Sequence, residues 1–244
     1  MADWHTHTVY SDGMGTVEDN ARAAQELGLE SVAVTDHGPA ALTAGMWRAE
    51  TLLSVLREVQ QVRGQLDIEV LAGVEANVVG TEGDIDVPPN IYEHLDLLSV
   101  GIHPSAAGAP RSSRKGLRFW GGPARRRRDR TDNTKALISC LHVHPVDLVT
   151  HPGLGVDVDT QELARAAERR GTALEISARY ASSMAGFIDV AQRTGVSFWC
   201  SSDAHEPASV GDLRDGLVLA RARGLAPERI CNVWAGRERR GAGA

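Results

Sequence analysis

Short apolar runs alternating with amphipathic stretches set the rhythm of this chain. It opens on a strand, and residues 17–27 then carry apolar side chains at helical spacing, with Thr16 as N-cap and Gly28 just past the end. Ser31-Val32-Ala33-Val34-Thr35 is apolar and β-branched, a strand that stops at Asp36-His37-Gly38. A helix over about residues 46–62, an apolar strand over 68–74 ending at Glu75, and a loop over 80–90 come next. Residues 95–102 read as another buried strand, ending at His103-Pro104, and after a polar tract helix resumes over about 133–141. A strand over 147–150 stops at His151-Pro152-Gly153. Helix over 160–170, strand over 173–177, helix over 182–194 and strand over 197–202 follow, the last leading into Asp203-Ala204-His205. A helix over about 210–222 and a tail from Ile230 to Trp234 complete the pattern. Strand and helix thus alternate about seven times, which implies a parallel sheet with right-handed crossovers, as a closed α/β barrel or an open doubly wound sheet.

Composition narrows the class. A chain of 244 residues, 42% hydrophobic, buries a real core, and with no Pro- or Ser-rich linker it reads as a single domain over 1–244. The formal charge of −6 argues against wholesale nonspecific nucleic-acid binding. Cys140, Cys200 and Cys231 are an odd count without framework spacing, which suits a reducing cytoplasm. The sequence carries neither a signal pattern nor an apolar run of the roughly 18 residues that span a bilayer, so a soluble cytoplasmic protein with no membrane partner is expected.

Candidate chemistry lies where strands end. His5 and His7 sit two apart on the first strand, so both imidazoles face one side, with Asp12-Gly13 close behind. His37, Glu75, His103, His151, Asp203 and His205 each fall at the C-terminal end of a later strand. In an α/β barrel these ends converge on one face. Six of the nine histidines land there, a distribution that isolated solvated histidines would not produce. Imidazoles and carboxylates together bind zinc, manganese or iron, and this many ligands exceed the needs of one ion, so two to three divalent ions are expected. Asp36, beside His37, is expected to orient an imidazole. His142-Val143-His144 precedes its strand and falls at the opposite end, and His94 is placed likewise, so these are read as structural or exposed; Cys200, inside a strand, is read as inert core. The tract over about 105–132 is Gly- and Arg-rich and is read as a long loop, with Arg125 to Arg128 as a mobile solvated run or an anion-attracting overhang on the cleft. Phe119-Trp120 is expected to pack that loop against the barrel. Arg179, just beyond the strand over 173–177, is the candidate phosphate-binding side chain.

The series His5-Thr6-His7, Ser11-Asp12-Gly13, Thr35-Asp36-His37, Gly73-Val74-Glu75, His103, Thr150-His151-Pro152-Gly153 and Ser202-Asp203-Ala204-His205 resembles the PHP (polymerase and histidinol phosphatase) family, in family order over nearly the whole chain. That resemblance implies a distorted seven-stranded (β/α)7 TIM-like barrel and a trinuclear metal site. By position it implies His5, His7, Glu75 and Asp203 around one ion, Glu75 bridging to a second held by His103 and His151, and Asp12, His37 and His205 around a third. It further implies a metal-dependent phosphoesterase working through a metal-activated hydroxide, with Glu75, Asp203 and His205 catalytic and His205 a candidate proton donor. The expected substrate is a small phosphate monoester of the histidinol phosphate or nucleotide type. Val70 to Glu75, Asp84 to Pro88 and Leu213 to Gly216 look like the PHP domain of family X DNA polymerases, which keeps a nucleic-acid phosphodiesterase or 3′-5′ exonuclease as the alternative, and a non-catalytic metal-binding scaffold as the third.

Overall fold

The computed structural model describes residues 1–41, 49–113 and 123–233. Its strands are β1 (Ala2–Thr6), β2 (Ser31–Val34), β3 (Glu69–Val79), β4 (Asp84–Ile85), β5 (Leu97–Gly101), β6 (Leu148–Val149), β7 (Ala173–Ser177) and β8 (Phe198–Ser201). The helices are α1 (Val17–Glu26), α2 (Ala49–Val62), α3 (Pro123–Val143), α4 (Thr160–Arg170), α5 (Ala181–Ala191) and α6 (Arg214–Ala222). Neighbours run β1-β2-β3-β5-β6-β7-β8, every pair parallel, with the short β4 antiparallel on β3. The strands are almost wholly buried because helices cover one face and the barrel interior the other, which is why they read as continuous apolar runs.

Closure between β8 and β1 is made largely by polar groups. Thr6 bridges Ala204, and the His7 N–H donates to the Ala204 carbonyl at 2.8 Å. Lower down, Asn232 Nδ2 donates to Ala2 O at 2.9 Å and Cys200 O at 2.7 Å, while its Oδ1 accepts the Cys200 N–H at 2.9 Å. The Asp3 carboxylate accepts from the Gly211 N–H at 2.8 Å and from both N–H and hydroxyl of Ser202. The result is a nearly closed barrel of seven parallel strands in a single domain.

Local signals account for the helices. Thr16 and Asp19 form a reciprocal capping box on α1, and Asp159 caps α4, which ends on Gly171 at φ 68°. Three expectations need correction. The arginine run is helical, because arginine is a good helix former and Arg125–Asp129 and Arg128–Asp132 pair one turn apart; the long loop therefore does not extend to 132. β3 does not stop at Glu75 but continues to Val79, where Gly80 and Gly83 at positive φ turn it into β4, inside the stretch expected as loop. α6 starts at Arg214 rather than near 210, after a 3-10 turn over Pro207–Ser209. The beginning of the second predicted helix, Phe119-Trp120 and Trp234 lie outside the described residues. Among the described residues no helix is long and apolar enough to cross a membrane.

Candidate metal centre

The side chains singled out at strand ends do meet. On β1, Asp3 pairs with Val32 and Thr6 with Val34, so three residue steps face two and a bulge intervenes; such a bulge re-aims side chains. His5 and His7 bring their Nε2 atoms to 3.1 Å. The turn after β1 is held by Asp36, whose carboxylate accepts from the Thr8 N–H at 2.8 Å, the Thr8 hydroxyl at 2.6 Å and the Ser11 hydroxyl at 2.5 Å. Asp36 touches no imidazole directly: it reaches His7 Nδ1 only through the Ser11 hydroxyl, 3.5 Å from that nitrogen, and its other hydrogen bonds shape the loop that presents Asp12. A Cβ at Gly13 would lie 2.5 Å from the His7 carbonyl carbon, so only glycine lets this turn fold back so tightly.

Glu75 occupies the middle. His37 bridges it backbone to backbone, and its fully buried carboxylate splits between two groups of rings. Oε2 lies 2.8 Å from His37 Nδ1, 3.5 Å from His5 Nε2 and 3.8 Å from His7 Nε2; Oε1 lies 3.0 Å from His151 Nε2 and 3.3 Å from His103 Nε2. Asp203 Oδ1 is 3.6 Å from His7 Nε2. Asp12 faces His37 Nε2 at 3.7 Å, His205 Nε2 at 3.3 Å and His7 Nδ1 at 3.8 Å. His151 and Asp203 hold the positive φ values 24° and 55°, unusual for residues with side chains and costing about 1–3 kcal/mol each, the kind of strain that collects at functional sites. Gly101 sits against the same group: a Cβ there would come within 2.6 Å of Thr150 Oγ1 and 2.9 Å of His103 Cε1.

Burial and neighbouring charge pull the members of this cluster in opposite directions. Burial opposes charge on every member, yet Glu175, Glu75 and Asp203 carry His5 well above the ordinary imidazole range. His151 is likewise pushed up to about 9 against its burial, through Glu75 and Glu175. Burial together with His37 and His5 drives His7 well below that range, and burial lowers His103. Glu75 is held well below the carboxylate range, despite its burial, by His103, His37 and His5, and Asp12 is lowered to about 2, despite its burial, by His205, His37 and His7. His37 Nδ1 and Glu75 Oε2 are both buried, with no hydrogen bond of acceptable geometry although they lie 2.8 Å apart. Orphaned lone pairs converging on one another are the donor set that a cation satisfies. Among the described residues, three clusters of ligand atoms have this character: His7, Asp12, His37 and His205; His5, His7 and Glu75; and His37, Glu75 and His103.

Sequence reasoning missed the groups behind the rings. Glu175 Oε1 lies 2.6 Å from His5 Nδ1 and its Oε2 accepts the His151 N–H at 2.5 Å. Asn77 Oδ1 is 2.7 Å from His103 Nδ1, with the amide oriented by Asp86, which accepts from Asn77 Nδ2 at 2.6 Å. Thr150 donates to Glu75 Oε1 at 2.6 Å. The one signal in the sequence was Glu175 itself, a carboxylate in the apolar run Ala173-Leu174-Glu175-Ile176, which demands a buried partner.

Arg179 lies where expected, at the mouth. Its Nη1 is 3.2 Å from Asp203 O and 2.5 Å from His205 Nδ1, and it is the one guanidinium lining a cleft of about 390 Å³ with Met14, Glu206, Ser209 and Asp212. Away from the centre, His144 bonds the Tyr92 hydroxyl and Gly83 O, and His94 and His142 are exposed. Cys200 is buried, and that burial pushes its thiol up.

Residues 3–179 match the family model of the PHP domain. A protein of Thermoanaerobacter sp. (strain X514) named "Probable phosphatase" is 28% identical over 248 residues, covering 97% of this chain and 92% of the relative. "Probable phosphatase YcdX" of Escherichia coli (strain K12) is 28% identical over 242 residues, covering 95% and 89%. The histidinol phosphate phosphatase of Lactococcus lactis subsp. lactis, crystallised with zinc, L-histidinol and phosphate, shares the fold at a TM-score of 0.60 and 14% identity, over 92% of this chain and 94% of that one.

Proposed function

The chain belongs to the PHP domain family, and from that premise we propose that this metal-dependent phosphoesterase hydrolyses small phosphate monoesters, of the histidinol phosphate or nucleotide type, at a centre of two to three divalent ions. The observation that carries the reading is the division of the Glu75 carboxylate between two groups of imidazoles, with two of the polar atoms unbonded. His5, His7, Glu75 and Asp203 make the first ligand set, Glu75, His103 and His151 the second, and Asp12, His37 and His205 the third. Nitrogen and carboxylate donors suit zinc, manganese or iron alike. Bound there, such ions supply an activated water near neutral pH and neutralise charge on the phosphoryl oxygens.

The chain's own groups do the rest. His205 Nδ1 lies 3.0 Å from the Asp203 carbonyl, so a proton there is held by the main chain, and Nε2, 3.3 Å from Asp12, is the nitrogen placed to pass a proton to the leaving oxygen. Coordination and proton donation exclude each other at one nitrogen: with two ions His205 is the proton donor, with three it is a ligand. Arg179 is aimed along the cleft beside Asp203 and would hold a nonbridging phosphoryl oxygen. It now shares His205 Nδ1 with the Asp203 carbonyl, and a proton on Nδ1 selects the carbonyl at 3.0 Å and frees the guanidinium. Arg179→Ala is expected to raise KM roughly ten- to a hundredfold, the worth of about 1.5–3 kcal/mol for a hydrogen bond to a charged group. Metal content should stay unchanged, so steady-state kinetics alongside elemental analysis separates the two effects.

One observation favours the exonuclease alternative. Arg126, Arg127 and Arg128 are exposed in the first turns of α3, and Arg126 lines a small crevice with Gly155 and Asp157, in the loop that follows His151. A groove tracking several phosphates loses affinity steeply with salt, whereas a pocket for one dianion does not. Release of phosphate from histidinol phosphate and nucleoside monophosphates is therefore expected to exceed release of nucleotides from a labelled oligonucleotide, at both 50 and 200 mM salt, roughly the span over which such binding collapses. Faster, salt-sensitive oligonucleotide cleavage would reverse the assignment.

A further inference from the structure

Glu175 is a fully buried carboxylate that none of the three ligand sets uses, although it touches two of them. It stands in β7 between Leu174 and Ile176, both in the apolar core, and His5 is its sole ion-pair partner among the described residues. Burying a carboxylate in such a place is costly unless both oxygens are engaged. They are: Oε1 meets His5 Nδ1 at 2.6 Å and Oε2 takes the backbone N–H of His151 at 2.5 Å.

We infer that Glu175 is a positioning residue that sets two ligands of different ion positions at once, fixing which nitrogen of His5 faces the ions and the backbone turn that aims His151. The inference rests on the metal-centre reading above. An ionised carboxylate can only accept, so the His5 ring turns its N–H at Nδ1 toward Glu175 and leaves Nε2 for the ion shared with His7 and Glu75. At His151 the contact is with the main chain. The residue sits at φ 24°, where a side chain crowds its own backbone, and the charge-assisted bond from its N–H opposes relaxation toward an ordinary conformation. That backbone geometry brings His151 Nε2 to 3.0 Å from Glu75 Oε1 and 3.4 Å from His103 Nε2. His103 is oriented differently, by Asn77 and through it Asp86, so the second imidazole near Glu75 Oε1 does not depend on Glu175.

The test is Glu175→Gln in the full chain, which keeps the volume but offers one accepting oxygen where two donors need one each. Zinc binding measured by competition with a chromogenic chelator is expected to weaken on the order of 10- to 100-fold, with two ions lost together. Thermal unfolding of the chelated protein distinguishes this from a merely structural role, which would lower that midpoint and leave zinc affinity of the folded protein as in the wild type. Unchanged zinc affinity and stoichiometry in E175Q overturns the inference, whereas a wild-type protein that takes up no zinc overturns the metal-centre reading beneath it. If E175Q does not fold, imidazole nitrogen NMR of the zinc-loaded wild type decides. A deshielded proton on His5 Nδ1 is expected, and a bare Nδ1 with the proton on Nε2 overturns the proposal.

Discussion

Glu75→Gln is expected to abolish turnover and to strip more than one ion from the protein. Its carboxylate is within 3.8 Å of five imidazoles, those of His5, His7, His37, His103 and His151, and its two oxygens face the two groups separately. The amide matches its shape, so packing around β3 is retained, but it brings no negative charge and only one accepting oxygen. Loss of an outer partner of a metal ligand costs about 10- to 100-fold in affinity or activity, so loss of a bridging ligand should cost at least about 100-fold in kcat. The readout is elemental analysis of purified wild type and variant, alongside phosphate release. A Glu75→Gln protein that keeps its ions and its rate would remove the basis of the hydrolase mechanism.

Removing the ions from the wild type should destabilise the fold itself. Without cations the rings converge unsatisfied: His7 is depressed by burial and its ring neighbours, and His37 Nδ1 has no hydrogen bond. At free metal one hundred times Kd each ion contributes about 2.7 kcal/mol, so two contribute about 5 kcal/mol. For a domain of this size that corresponds to a fall in Tm of roughly 10–20 °C on chelation, restored by zinc or manganese. pH should act in a fixed direction. Burial opposes the charge on His5 and His151, but neighbouring carboxylates raise His5 well above the ordinary range and His151 to about 9, so the metal-free protein holds protons that an ion must expel. Metal affinity is therefore expected to climb as pH rises toward about 9 and to fall below it, by about tenfold per pH unit for each proton displaced. Calorimetry in buffers of different ionisation enthalpy measures that release; a Tm indifferent to chelator at pH 8 would contradict a structural role for the ions.

The amino-acid sequence by itself determined the alternation of elements and the placement of chemistry at their ends. Apolar, β-branched runs such as Ser31 to Val34 read as buried strands, and helix signals such as Thr16 and Gly28 are local. Ligand positions followed because His103, His151, Asp203 and His205 come after apolar runs, just where strands stop. Local pattern was a poorer guide at two places: consecutive arginines looked like loop until their acids one turn on made them helix, and Glu75 looked like a strand end although Ala76 to Val79 continue β3 up to the turn. What only the tertiary structure decided is pairing. Glu175 and His5 are 170 positions apart, and Asp3 and Ser202 are 199 apart, so no periodicity relates them. A buried carboxylate announces that it needs a donor, but which donor depends on the order of strands around the barrel, and that order is set by long-range packing rather than by any neighbour in the chain.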